Sequence, residues 1–376
     1  MSEQFVPWNS IAESVVDYGE RRLSFPDGLA SPCVTCRTAP CCTHLRVQTF
    51  RTTNLMELDL TRYLLNFERI ELGLAPDGKW SVYYTYPCRH LNRQDFTCTV
   101  HNTPRQPQVC VSYNPYNCWY KQVFSTRQSP LSMRIDRQRL EYLLAQVVFD
   151  DNRAIVDMPT WEALAEGFDQ LPPLAPPPPS DPPGPDAAVL DWRQQVIALG
   201  SIAGPEVVEP AAADGALLAP PLDSRSFASL ADPCGDCQAY CCTHLVFPQP
   251  TPQTISNLDF FRYCLGFPGV EVAAADSGWS LVVQSRCRHL AGSRCGVFGR
   301  PERPLLCQYY DAWQCTYRPT LGSPRPAGFV RLGLEEFDRL AECFDFDPNG
   351  QIIRHPSVED IRGHIEAGWR PAAGPA

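Results

Sequence analysis

Apolar residues recur at helical spacing over residues 55–67 (Leu55, Leu58 and Leu65, with Tyr63 beside them) and again over residues 255–265. That three- and four-residue rhythm lines one face of a helix. Trp80 to Tyr86 alternates as a strand does, and so does Trp279 to Val283. Leu140, Leu143, Leu144, Val147 and Val148 make the stripe of a further helix, matched over residues 337–344. Closing helices are predicted over residues 160–168 and 358–369. Helices and short strands alternate without the regular strand–helix–strand beat of a parallel sheet, so the expected class is α+β.

The elements come in the same order twice, and individual residues repeat with them. Leu58-Asp59 and Arg62-Tyr63 fall on Leu258-Asp259 and Arg262-Tyr263, and Cys88-Arg-His-Leu91 recurs at Cys287–Leu290. The repeat is roughly 140 residues long, well above the 20 to 50 of a solenoid, and reads as a duplicated domain. Between the copies lie nine prolines from Pro172 to Pro185, a composition that favours a stiff polyproline spacer. The expected organisation is a first domain over 1–170, a linker over 171–187 and a second domain over 188–376, with 188–230 partly of low complexity. Within it, residues 191–199 read as a short helix.

Charge narrows the partners. The formal net charge is −10, with no basic face suited to nucleic acid and no polybasic run suited to an anionic membrane. Lys79 and Lys121 are the only lysines, an arginine-heavy usage typical of GC-rich bacterial genomes. The first residues lack a charged segment followed by an apolar run, and no stretch reaches the 18 to 20 apolar residues that span a bilayer. The expected compartment is the cytoplasm, where thiols stay reduced. The 18 cysteines therefore read as metal ligands or redox groups before they read as disulfides.

Sixteen of those cysteines form two matching sets. The first is Cys33, Cys36, Cys41, Cys42, Cys88, Cys98, Cys110 and Cys118. The second is Cys234, Cys237, Cys241, Cys242, Cys287, Cys295, Cys307 and Cys315. A two-residue gap lets both sulfurs of a C-x-x-C turn onto one ion. Adjacent cysteines point apart in a strand and diverge by about 100° in a helix, so Cys41 and Cys42 are expected to serve different roles. Eight thiolates on one divalent ion would leave a charge of −6, so each set implies several metals, a cluster, or some protonated thiols. Arg89 and Arg288 either offset that charge or are solvated surface residues. His44, His244, His90 and His289 are candidate nitrogen ligands, hydrogen-bond donors to a ligating thiolate, or hydrogen-bonded core residues. Asp59 and Asp259 are oxygen ligands if the metal is iron, and otherwise helix-surface charge. Cys264 and Cys343 lie on apolar stripes and read as buried small hydrophobes.

This arrangement resembles the CxxCxxCC, or YkgJ-like, cysteine-cluster proteins. The resemblance is carried by the opening C-x-x-C with its paired cysteines, the Leu-Asp helix, the C-x-x-L phrases, Cys98 and Cys295, and the Arg303-Pro-Leu-Leu-Cys307 ending. The first copy reads Gln106-Pro-Gln-Val-Cys110 there and lacks the arginine. Residues 33–118 and 234–315 are covered. The resemblance implies chelation of zinc or iron. It does not imply a reaction.

The expectation is therefore two similar small metal-stabilised domains with short strands and Cys-rich loops. Each would hold zinc or iron, as ions or as an iron–sulfur cluster, on the sixteen matched cysteines. The role would be structural or metal-handling. The alternative is an iron or iron–sulfur enzyme acting on a peptide or small molecule. The expected partners are metal ions, with no nucleic acid and no membrane.

Overall fold

In a computed structural model of the chain, the described residues are 16–17, 22–23, 36, 39–174 and 237–368. Within these lie short gaps at 95, 102, 104, 114–117, 125–128, 324–325 and 341–342. Residues 175–187 of the linker, the short helix read at 191–199, Cys33 and Cys234 fall outside the described residues, and so does the boundary expected at 187–188.

A two-residue hairpin comes first, β1 (Val16–Asp17) and β2 (Arg22–Leu23). The first half then runs β3 (His44–Phe50), α1 (Leu55–Leu64), β4 (Ile70–Leu74), β5 (Trp80–Thr85), α2 (Gln108–Ser112) and α3 (Trp119–Phe124). It continues through β6 (Met133–Ile135), α4 (Arg137–Leu144), β7 (Val148–Phe149), β8 (Ile155–Asp157) and α5 (Trp161–Asp169). The second half runs β9 (His244–Gln249), α6 (Ile255–Leu265), β10 (Val270–Ala275), β11 (Gly278–Gln284), β12 (Leu290–Ala291), β13 (Arg294–Cys295), α7 (Leu305–Tyr309) and α8 (Tyr317–Leu321). It ends with β14 (Phe329–Leu332), α9 (Leu334–Leu340), β15 (Asp345–Phe346), β16 (Ile352–Arg354) and α10 (Val358–Gly368). Each half has a four-stranded antiparallel sheet, in the orders β3-β5-β4-β6 and β9-β11-β10-β14. Helices and antiparallel sheets together make the class mixed α+β.

The helix starts are encoded locally. Asn54 accepts from the Glu57 amide at 2.9 Å, and the Glu57 carboxylate accepts from the Thr53 amide at 2.7 Å. Thr254 and Asn257 make the reciprocal pair at the start of α6. The apolar stripe of α4 overshoots its helix: α4 stops at Leu144, and Val148 opens β7 with its side chain about half exposed. In the central strand β5, Trp80, Val82 and Tyr84 face the core, while Tyr83 on the opposite face is covered by Trp119 and Phe124 of α3.

One continuous core runs through both halves, from Leu45, Leu58, Trp80 and Leu140 to Leu245, Leu258, Phe267 and Phe337. Cys264 is fully buried in it, and Cys343 packs against it. The halves are also joined by hydrogen bonds. The Glu68 amide donates to Arg286 O at 2.9 Å, and the Tyr84 hydroxyl donates to Pro268 O at 2.8 Å. Gly269 sits where that tyrosine arrives. Its φ is +81°, and a Cβ there would come within 2.9 Å of the Tyr84 oxygen, so conformation and space both require glycine.

Candidate functional site

The paired cysteines sit in a single 3₁₀ turn in each half, Pro40–Cys42 and Tyr240–Cys242, just ahead of the first sheet strand. Ala39 and Ala239 enter these turns in the left-handed region, at φ 35° and 56°. The sequence led us to expect divergent sulfurs. Instead the side-chain rotamers bring Cys41 and Cys42 to an Sγ–Sγ distance of 4.0 Å, and Cys241 and Cys242 to 4.0 Å. None of the described cysteines forms a disulfide. The turn is locked to the next cysteine, since the Cys88 amide donates to Cys42 O at 2.7 Å and the Cys287 amide to Cys242 O at 2.8 Å.

Five thiols of each set act on one another electrostatically. They are Cys41, Cys42, Cys88, Cys98 and Cys110 in the first half. In the second they are Cys241, Cys242, Cys287, Cys295 and Cys307. Cys36 lies on the wall of the first cluster. Cys118 and Cys315 sit against the hydroxyls of Tyr113 and Tyr310.

Crowding and burial hold protons on most of these thiols. The Cys41 thiol, then burial and the neighbouring sulfurs push Cys42 far up. Burial pushes Cys88 up to about 11 and Cys307 up to about 12. Cys241 goes the other way, down to about 7, through the hydrogen bond from Cys242 and the nearby Arg303. A cluster of this kind loses its protons when a soft cation takes their place.

The histidines divide. His44 is a core residue: its Nδ1 lies 2.9 Å from Thr43 Oγ1 and 3.2 Å from Pro40 O, and its ring stacks on Phe124 at 3.9 Å. His244 has its Nδ1 2.9 Å from Thr243 Oγ1, and burial lowers it to about 4, so it is neutral. His90 and His101 line the first cavity. His289 has a buried Nε2 with no hydrogen-bond partner among the described residues.

Each cluster is braced by a helix from the opposite half. The Tyr263 hydroxyl of α6 donates to Cys41 O at 2.8 Å. Asp259, one turn earlier, accepts from the Val109 amide at 3.2 Å, at the start of the helix that carries Cys110. Gly266 O, just past α6, accepts from the Arg89 amide at 2.8 Å, beside Cys88. The second cluster shows the same three ties to α1. The Tyr63 hydroxyl donates to Cys241 O at 3.2 Å, Asp59 accepts from the Leu305 amide, and Asn66 O accepts from the Arg288 amide at 2.8 Å. The hydroxyls of Tyr120 and Tyr317 in turn meet those of Tyr263 and Tyr63.

These contacts correct the reading of Asp59 and Asp259 as helix-surface charge. Both are buried, and Asp59 pairs with Arg62 at 2.6 Å. Their spacing with the following arginine and tyrosine, i, i+3 and i+4, puts all three on one helix face. That face looks into the other half. The repeated L-D-x-x-R-Y phrase was the available signal for Tyr63 and Tyr263, which sequence reasoning left without a role. Arg89 and Arg288 are exposed, and their charges oppose in part the burial that raises Cys88 and Cys287.

Asp259 also carries a pH dependence. Burial raises its carboxyl from 3.8 to about 6, against the pull of Arg262 and of the Val109 and Gln108 amides. The native state therefore binds this proton more tightly than the unfolded chain does. Its contribution to stability is full below about pH 4 and is lost as pH rises through about 6, a change on the order of 2–3 kcal/mol. Urea midpoints across that window should fall with pH in the parent chain, and Asp259→Asn should flatten the fall. An unchanged slope in the variant would show that the carboxyl is not shifted.

The first cluster opens on a cavity of about 360 Å³, whose far wall is Phe260, Arg262 and Tyr263 of the second half. Five thiols together suit a soft cation such as zinc or iron in chemistry. In arrangement, no three His, Cys, Asp or Glu side chains among the described residues are placed so that they could hold one ion. No helix among the described residues is long and apolar enough to cross a membrane. Among known proteins, no family model, no curated protein and no solved structure matches the chain. The resemblance to the cysteine-cluster proteins thus rests on the motif alone.

Proposed function

We propose that the chain is a zinc- or iron-binding protein of the cysteine-cluster type. In this reading it arose by duplication and carries two Cys-rich metal sites with a structural or metal-handling role. The observation that carries the reading is the gathering of five thiols in each half around the paired-cysteine turn, at matching positions. Cys41, Cys42, Cys88, Cys98 and Cys110 would hold the metal in the first site, with Cys33 and Cys36 as further sulfur donors. Cys241, Cys242, Cys287, Cys295 and Cys307 would hold it in the second, with Cys234 and Cys237. A bound cation supplies the positive charge that lets crowded thiolates persist in a buried place. Reduced thiols suit the cytoplasm.

A second reading is an iron or iron–sulfur enzyme acting on a peptide or small molecule. The cavity beside the first cluster supports it by leaving room for a substrate next to the thiols.

The test is thermal unfolding with and without a strong chelator. Structural zinc contributes about 10–16 kcal/mol of apparent binding energy in small domains. Chelation should therefore lower the melting temperature by tens of degrees or abolish the cooperative transition, and added zinc or ferrous iron should restore it. A melting curve indifferent to chelator and to metal would reject both readings.

A further inference from the structure

The cavity beside the first cluster has walls of two kinds. Its interior is mostly apolar: Leu91, Val100 and Tyr120 line it from the first half, Phe260 and Leu334 from the second. The arginine and acidic side chains on it are Arg46, Arg105, Arg262 and Asp338. Three guanidiniums to one carboxylate is a local exception in a chain of net charge −10. Arg262 is buried and matched within the wall, since its Nε donates to Asp338 at 2.9 Å and Asp259 lies 3.7 Å away. Arg46 and Arg105 are exposed, so they stand where the cavity meets solvent. Neither makes an ion pair among the described residues. Arg46 is steadied over the Trp119 ring at 5.1 Å. The charges of Arg105, Arg89 and Arg262 act together on His90 inside, opposed by Asp338. A recess whose walls are apolar and whose charge is of one sign concentrates molecules of the other sign.

We propose that this cavity is a binding site for a small aromatic carboxylate, whose ring lies in the apolar interior and whose carboxylate meets Arg46 and Arg105 at the mouth. The inference gives a ligand class to the cavity of the second reading above and concerns binding alone: no bound metal and no reaction enter it. Size sets the class first. The 360 Å³ of the cavity equals the volume of roughly a dozen waters at about 30 Å³ each. That suits a fused ring with a short acidic arm, and it is too small for a peptide or a nucleotide. Tyr120 and Phe260 offer aromatic partners, for which ring contacts add to the gain from burial. A guanidinium fork matches a carboxylate in plane and in charge. A neutral ring gains nothing from the two arginines, and a cation is repelled by them. The ligand would touch both halves, with Arg46 and Arg105 on one side and Phe260 and Leu334 on the other.

The experiment is isothermal titration calorimetry of the full-length protein, as purified, with naphthoate, naphthalenemethanol and naphthylmethylamine. These carry one ring system with a negative, a neutral and a positive arm. Naphthoate should bind with a Kd on the order of 100 μM or tighter. The alcohol should bind about 10-fold more weakly, and the amine more weakly still. Arg46→Gln and Arg105→Gln should each weaken naphthoate about 3- to 10-fold and leave the alcohol unchanged. Arg105→Glu, which matches Glu302 of the second copy, should weaken naphthoate further and strengthen the amine. Phe260→Ala should weaken all three probes alike. Both arginines are exposed, so their variants carry the test even where Phe260→Ala fails to fold. Equal affinity for the three probes, no saturable binding at millimolar naphthoate, or naphthoate binding indifferent to both arginines would overturn the inference. The metal-site reading, judged by metal content, would then stand. Naphthoate bound in the expected pattern by protein that carries no metal would uphold the inference while that reading falls.

Discussion

A single cut in the proline-rich segment near residue 180 should leave the two halves eluting together on gel filtration, at the size of the uncut chain. The expectation follows from what lies between them. One apolar core runs from Leu58 and Phe67 to Leu258 and Phe267, and three backbone or side-chain ties to each cysteine cluster come from the opposite half. A linker contributes chiefly effective concentration, in the millimolar range for short tethers. Interfaces built like a core cut in half persist far below that. The halves should part only in denaturant. If they separate as folded monomers in buffer, the helices α1 and α6 do not complete the opposite clusters.

The second large effect is expected at Asp59. Its carboxylate accepts from Arg62 and from the Leu305 amide at the head of α7, all in largely buried surroundings. Asp59→Ala strands a guanidinium and a backbone N–H at once. Breaking one side of a buried ion pair costs about 3–5 kcal/mol, which urea unfolding would read directly. Asp59→Asn keeps an acceptor for Leu305 and should lose clearly less. A loss of only about 0.5 kcal/mol in the alanine variant would be the behaviour of a surface residue, and would return Asp59 to the role the sequence first suggested.

The sequence made the helices and central strands legible because their periodicity is local. Residues 255–265 form a helix as their apolar spacing predicts, and Thr160 caps the helix predicted beside it. It misplaced the end of α4, because Val147 and Val148 continue the apolar stripe while the chain has already turned into β7. The cysteines as a set were legible through their repetition. Their mutual placement was not, because it depends on a 3₁₀ turn and on rotamers that no spacing rule describes. The cross-bracing lay hidden for a similar reason. Asp59, Arg62 and Tyr63 announce one helix face, but only tertiary structure shows that this face meets the other half's cysteines.

The measurement that tests the account most directly is elemental analysis, with a visible absorption spectrum, of full-length protein purified without oxygen. The account predicts zinc or iron at one or more ions per site. A colourless zinc protein would support the structural or metal-handling role. A brown iron protein that bleaches on reduction would support the redox enzyme. Protein that is free of metal, with the thiols of both clusters open to alkylation in the folded state, would contradict it.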